Sequence, residues 1–200
     1  MLNTVEVQIL LSRAVRNPKL VLGVYPSDNI PNFKTEEFAI VCNVDTKYQK
    51  GSHWCAFYKT EGSLLEFFDS FGLHPALYCV GFANFIKQQG SYFRRNIHQI
   101  QDFDSTCCGN YCVYFLGLRS RKIPMQTIIN SFDNVNFREN DAFVLSVTEP
   151  QWRSTSCKTT TENNEECTCV QYNQKCSQVT RLLRSYCRHN VYKKCKESKI

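Results

Sequence analysis

The sequence lacks a long hydrophobic run: no uninterrupted apolar stretch approaches the roughly 20 residues that a membrane-spanning helix needs. Residues 1–6 show neither the basic region nor the apolar region of a secretory signal, and no segment of the chain is repeated. We therefore expect a soluble, non-secreted protein. In such a protein most of the twelve cysteines should be reduced thiols, which serve catalysis, metal binding or packing rather than a disulfide framework.

The positive charge is confined to one end of the chain. Residues 1–150 hold fourteen Lys and Arg and fourteen Asp and Glu, whereas residues 151–200 hold ten and four, which accounts for the whole net charge of +6. Six of the cysteines also lie in this last segment. The shift in composition predicts a domain over 1–150 and a basic, cysteine-rich C-terminal tail over 151–200.

The pattern of apolar residues and turn signals predicts an α+β domain, with a mostly antiparallel sheet packed by helices. The sequence leaves the state of 142–147 open. The predicted elements are helices over 5–15, from Pro75 to Gly90, from Cys108 and over 125–132, and strands over 21–25, 38–44, 53–59, 64–69 and 96–101.

The stretch 101–112 combines a thiol, a glycine and an upstream amide. Cys108 precedes an apolar run that predicts a buried helix, and the capping types at 104–106 agree with a helix start there. A helix start stabilises a thiolate and makes it a usable nucleophile. Gly109 would let a substrate backbone come close, and Gln101 would donate to an oxyanion formed at Cys108. Packing in the core is the competing interpretation for any one of twelve cysteines.

A base and its orienting carboxylate are predicted on the neighbouring hairpin. His53 opens one strand and Asp69 ends the next, so an antiparallel pairing would bring them together. The carboxylate would then hold the imidazole, and the imidazole would share the proton of Cys108. Each of these residues alone is more often structural, but the order His53, Asp69, Gln101, Cys108 favours a thiol peptidase.

This arrangement resembles the adenovirus protease (adenain) family and its relatives in viruses and mobile elements. The resemblance rests on His-Trp at 53–54, Phe-Asp-Ser-Phe-Gly at 68–72, and a Gln followed seven residues later by Cys-Gly, and it covers about residues 20–120. It implies an adenain-like fold with Cys108 as nucleophile, His53 as base, Asp69 as its orienter and Gln101 in the oxyanion hole.

The same resemblance implies a biological setting. It implies glycine-directed cleavage of viral structural precursor proteins during virion maturation, in the host nucleus or the virion, with DNA or a peptide as activator. No cofactor is required for the chemistry, and no metal is expected. In adenain the activating peptide is tied by a disulfide to a cysteine before the Gln; residues 92–101 contain none, which argues against a covalent tie here.

Two alternatives remain open. A protease for ubiquitin-like modifiers shares the residue order, although that family usually has Asp-Cys-Gly with its Gln one residue closer to the Cys. The other is a nucleic-acid or zinc-binding module on an inactive protease core. Cys167-x-Cys169 and Cys187-x-His189 depart from the usual Cys-x₂-Cys spacing, so a solvated tail is favoured over a zinc site. Cys107 is a rival nucleophile, and Cys112 is expected to be a core thiol.

Overall fold

Five strands form one sheet in the computed structural model, which describes residues 1–33 and 37–149. The α+β class is confirmed, and the sheet runs in the order β1-β2-β3-β4-β5. Its strands are β1 (Val21–Tyr25), β2 (Phe38–Asn43), β3 (Trp54–Lys59), β4 (Leu65–Phe68) and β5 (Phe93–Arg95).

The sheet is mixed, so the expectation of a mostly antiparallel sheet is wrong. Strands β2, β3 and β4 form the predicted antiparallel meander, but β1 is parallel to β2 and β5 is parallel to β4. Parallel neighbours need a long crossover connection. Residues 69–92, which include a helix, provide it between β4 and β5.

The prediction of a last strand over 96–101 is also wrong. Strand β5 ends at Arg95, and 96–101 lies outside the sheet. The backbone N–H groups of Ile100 and Gln101 donate instead to the carbonyl of Ser70, and the Asn96 side chain binds the backbone of Asp69. These groups of the segment therefore find their partners in the loop after β4 rather than in a strand ladder.

The described part of the chain contains five α-helices: α1 (Thr4–Ala14), α2 (Val80–Gln88), α3 (Cys108–Arg119), α4 (Met125–Ile129) and α5 (Phe137–Thr148). Helix α1 begins with a capping box between Asn3 and Glu6. Helix α5 includes the segment that the sequence left open. Residues Pro75–Leu77 form a separate 3₁₀ turn before α2, rather than its first turn, and the extended Cys79 separates the two.

The central strands β2, β3 and β4 are buried on both faces because helices cover each face of the sheet. One face packs against α2 through a cluster of apolar side chains, and on the other face Phe68 stacks on Phe115 of α3 with ring centroids 4.4 Å apart. All residues of α3 except Arg119 are buried, as its apolar sequence predicts. The cluster against α2 comprises Phe38, Ile40, Cys42, Cys55, Phe57, Leu65, Phe67, Phe82, Phe85 and Ile86.

In the described part of the chain, no helix has the length and apolar composition to span a membrane. The six cysteines between 42 and 112 form no disulfide with one another. The predicted tail lies outside the described residues, and its boundary stays a prediction.

Candidate active site

His53 and Asp69 are in direct contact, as the hairpin pattern predicts. The register of β3 and β4 pairs Ala56 with Phe68, so the residues just beyond each strand end meet across the hairpin. His53 Nε2 lies 2.7 Å from Asp69 Oδ1, and both side chains are buried. Burial keeps water from competing for this contact, which makes it stronger than a surface pair.

The Asp69 carboxylate is held by three further donors. Oδ1 also accepts from the N–H of Phe71 at 3.2 Å, and Oδ2 accepts from the N–H of Leu73 at 2.8 Å. The Tyr78 hydroxyl donates to Oδ2 at 2.9 Å. A carboxylate has about four acceptor positions, so these donors together with His53 occupy them and fix the orientation of Asp69 toward His53.

The His53 imidazole is confined between two aromatic rings. It stacks on Phe71 with centroids 4.8 Å apart and on Tyr78 with centroids 5.4 Å apart. Burial lowers the pKa of His53, but the hydrogen bond to Asp69 and the interaction with the neighbouring Cys108 thiol outweigh it, raising that pKa from 6.5 to about 9. The imidazolium form is therefore favoured at neutral pH.

Cys108 is the first residue of α3, as expected, and it is buried. Its neighbour Cys107 is the N-cap residue and makes no side-chain capping bond. The positive end of the helix dipole and the imidazole of His53 therefore both act at the Cys108 sulfur. Because His53 Nε2 faces Asp69, Nδ1 is the ring nitrogen left for the thiol.

The predicted capping residues 104–106 do not cap α3. The N–H of Asp104 donates to Asp102 Oδ1, Ser105 binds the amide of Gln101, and the Thr106 hydroxyl accepts from the amino group of Met1. These bonds stabilise the loop before the helix instead of the helix start. The loop turns back on itself at 102–105, where the N–H of Ser105 donates to the carbonyl of Asp102. The amides that open α3 are thus left without a side-chain cap.

Cys107 is a poor nucleophile in this environment. Burial raises the pKa of the Cys107 thiol, the Ser105 hydrogen bond opposes this, and nearby Asp141 raises it further, to about 12. The thiol is therefore protonated at neutral pH. Burial likewise raises the pKa of Cys112 well above its ordinary value, and its thiol donates to the Trp54 carbonyl, as expected of a packed core cysteine.

Gln101 is fully buried and held at both ends of its carboxamide. The Ser70 hydroxyl lies 2.6 Å from Oε1, and Nε2 donates to the backbone carbonyl and the hydroxyl of Ser105 at 3.0 and 2.9 Å. The amide nitrogen is thus directed at the loop that leads into Cys108. It makes no direct bond to Cys108.

Gly109 packs against Trp54 and the N-terminal segment, and its expected approach to a substrate backbone stays a prediction. A Cβ built on Gly109 would lie 3.2 Å from Trp54 Cδ1, 3.3 Å from Val7 Cγ2 and 3.4 Å from Leu2 Cδ1. The glycine therefore allows α1 and Trp54 to pack closely against the start of α3. Trp54 is held there by a hydrogen bond from its Nε1 to the carbonyl of Leu2.

Ligand atoms of His53, Cys55 and Asp69 lie within 4.8 Å of one another, a grouping that could be read as a metal site. The 2.7 Å contact between His53 and Asp69 is a hydrogen bond, not a pair of ligands spread around an ion. Burial, and then the charge of Asp69, raises the pKa of Cys55 well above its ordinary value. The geometry therefore favours a proton shared between His53 and Asp69.

Three supporting residues were missed by the sequence reasoning: Tyr78, Asn96 and Ser70. Tyr78 and Asn96 carry no sequence signal, since they lie 9 and 27 residues from the Asp69 groups that they bind. Ser70 directly follows Asp69, and this adjacency was the one clue that it could reach the site.

No protein-family model and no curated protein matches the chain. Among solved structures, the chain is similar to the central domain of an uncharacterized protein from Legionella pneumophila, with a TM-score of 0.50 and 15% sequence identity. The match covers 77% of this chain and 97% of that domain. At this identity the likeness is one of fold alone.

Proposed function

We propose that this protein is a cysteine endopeptidase with an adenain-like fold. Cys108 is the nucleophile, His53 the base, Asp69 the residue that orients it, and Gln101 a donor to the oxyanion. The observation that carries the proposal is the 2.7 Å contact between buried His53 and Asp69 beside a cysteine that opens a helix. Few structural roles need a histidine whose pKa is raised toward 9 next to a thiol.

The site supports acyl transfer through a thioester. The Cys108 thiolate attacks the scissile carbonyl carbon, and the carbonyl oxygen becomes an oxyanion that accepts from the Gln101 amide. The His53 imidazolium gives its proton to the leaving nitrogen as the C–N bond breaks. Water then attacks the thioester and His53 takes its proton; the C–S bond breaks, the carboxylic acid leaves, and the Cys108 thiolate and the His53 imidazolium are restored. Asp69 holds the imidazole in one orientation throughout.

The resemblance of residues 20–120 to the adenain family extends the proposal to substrates. We expect cleavage after glycine in protein precursors, in the setting of virion maturation, inside the host nucleus or the virion. A protease for ubiquitin-like modifiers is the second candidate, because it shares the order of the four residues and also cleaves after glycine.

Hydrolysis of two substrates separates these candidates. A fluorogenic peptide with Gly before the leaving group and a ubiquitin-like protein with the same leaving group should be offered to the wild-type chain and to Cys108→Ala. We expect turnover of the peptide and its loss in Cys108→Ala. Preference for the folded modifier would favour the second candidate, and no turnover of either substrate would favour an inactive protease core that serves as a binding module.

The basic tail supports a DNA partner as activator. Ten Lys and Arg in residues 151–200 provide contacts to phosphates, so affinity should fall steeply with added salt and depend little on DNA sequence. DNA affinity should be measured across a salt series for the full chain and for a chain shortened at Pro150. Equal affinities and slopes would place any DNA contact on residues 1–150 and remove this role from the tail.

A further inference from the structure

Ser70 links the two halves of the candidate site. It directly follows Asp69 in the chain, its side chain is fully buried, and its hydroxyl lies 2.6 Å from Gln101 Oε1. Asp69 binds the base, and the next residue binds the amide assigned to the oxyanion. The turn that follows β4 therefore contacts both the proposed base, His53, and the proposed oxyanion donor, Gln101.

The neighbours of Gln101 determine which way its carboxamide points. The backbone carbonyl of Ser105 is only an acceptor, so the carboxamide atom 3.0 Å from it must be the NH₂ group. The carboxamide oxygen is then on the Ser70 side, and the Ser70 hydroxyl must be the donor. Without this donor a fully buried carbonyl oxygen would lose its bond, and such a group is costly to leave unpaired.

The Ser70 hydroxyl can be removed without loss of the backbone hydrogen bonds that join Ser70 to residues 100–101. The carbonyl of Ser70 accepts from the N–H of Ile100 at 2.9 Å and from the N–H of Gln101 at 3.3 Å. These bonds do not involve the side chain, so they hold residues 100–101 in place in Ser70→Ala. The substitution therefore tests the orientation of one carboxamide rather than the position of the whole segment.

We propose that Ser70 is a positioning residue of the oxyanion hole, which keeps the Gln101 NH₂ group directed toward the loop before Cys108. This inference rests on the proposed peptidase function. The carboxamide is bound on its oxygen side by Ser70 and exchanges its bond to the Ser105 hydroxyl for a bond to the oxyanion as charge develops. Without the Ser70 hydroxyl, the carboxamide rotates or loosens and donates less well to the transition state.

The experiment compares wild type, Ser70→Ala, Gln101→Ala and the double variant on the fluorogenic glycine peptide. Ser70→Ala should lower kcat on the order of tenfold with KM nearly unchanged, since one hydrogen bond to a catalytic donor is lost. In the Gln101→Ala background the same change should have no further effect, because Ser70 acts only through that amide. Additive losses in the double variant would overturn the proposal.

A second measurement separates positioning from damage to the fold. Alkylation of Cys108 by iodoacetamide needs the thiolate but forms no oxyanion, so Ser70→Ala should keep the wild-type alkylation rate. Ser146→Ala is the matched control, because it removes another buried serine hydroxyl, one that donates to a carbonyl within α5, and it should leave kcat unchanged.

The outcomes distinguish this inference from the proposed function. Turnover in wild type with an unchanged kcat in Ser70→Ala overturns the role of Ser70 alone. Equal losses of turnover and alkylation in Ser70→Ala also overturn it, because they indicate a structural role. No turnover in wild type overturns the peptidase proposal and the inference with it.

Discussion

Replacing Asp69 by Asn should return the His53 imidazole to an ordinary or low pKa. In the native site the hydrogen bond to Asp69 is the largest single cause that raises the pKa of His53, which reaches about 9 instead of 6.5 against the effect of burial. That difference corresponds to about 3 kcal/mol between the two protonation states. With the charge of Asp69 removed, only the interaction with Cys108 opposes burial, so the pKa should fall to 6.5 or below.

The direct assay is NMR titration of the His53 ring, with His53→Gln used to assign its signal. We expect a midpoint near pH 9 in wild type and a midpoint at or below 6.5 in Asp69→Asn. The activity profile should follow, because the imidazolium must protonate the leaving nitrogen. We expect kcat/KM to fall above about pH 9 in wild type and above about pH 6.5 or lower in the variant. A wild-type midpoint near 6.5, or one that Asp69→Asn leaves unchanged, would refute this reasoning.

The same shift makes a prediction for stability. Below pH 6.5 His53 is protonated in the folded and the unfolded chain, so the stabilisation by its charge is fully present. It is lost as the pH rises from 6.5 through about 9, because the unfolded chain releases this proton first. The unfolding free energy of wild type should therefore decline over that window by up to about 3 kcal/mol more than that of Asp69→Asn.

Three further substitutions test other parts of the site. Gln101→Ala should lower kcat by about 10²–10³-fold with little change in KM, since the amide acts on charge that develops only in the transition state; steady-state kinetics with an unchanged kcat would remove it from the oxyanion hole. Gly109→Ala should destabilise the fold by about 1–3 kcal/mol in chemical denaturation, because its Cβ would press on Trp54 and α1; an unchanged midpoint would contradict that packing. Tyr78→Phe should lower stability by about 1.5–3 kcal/mol, because it removes a donor from the Asp69 carboxylate, and equal stability would show that this bond contributes nothing.

The contact between His53 and Asp69 could be predicted because a tight hairpin leaves little freedom in register. Once the strands are identified, the pleat and the short turn bring the start of one strand to the end of the other. The start of α3 at Cys108 could also be predicted, because a long apolar run that follows a short polar segment usually forms a buried helix. Local pattern was sufficient in both cases.

The remainder depends on distant partners that no local pattern encodes. Segment 96–101 has strand-like residues, but its backbone N–H groups at 100 and 101 donate to the carbonyl of Ser70, and its Asn96 side chain binds the backbone of Asp69. The parallel edges of the sheet follow from its crossover connections and not from strand composition. The role of Gly109 was predicted from its position beside Cys108, whereas its close packing against α1 involves residues about a hundred positions away in the chain. Such residues are identified only when the fold brings their neighbours together.

Labelling with a thiol-directed probe on a glycine-ended peptide tests the central claim most directly. The probe should be offered to wild type, Cys108→Ala and Cys107→Ala at neutral pH, and the labelled residue identified by peptide mass spectrometry. We predict one label at Cys108 in wild type, no label in Cys108→Ala and near wild-type labelling in Cys107→Ala, whose thiol pKa is about 12 in the native chain. A label at Cys107, or labelling that persists in Cys108→Ala, would contradict the assignment of Cys108 as the nucleophile.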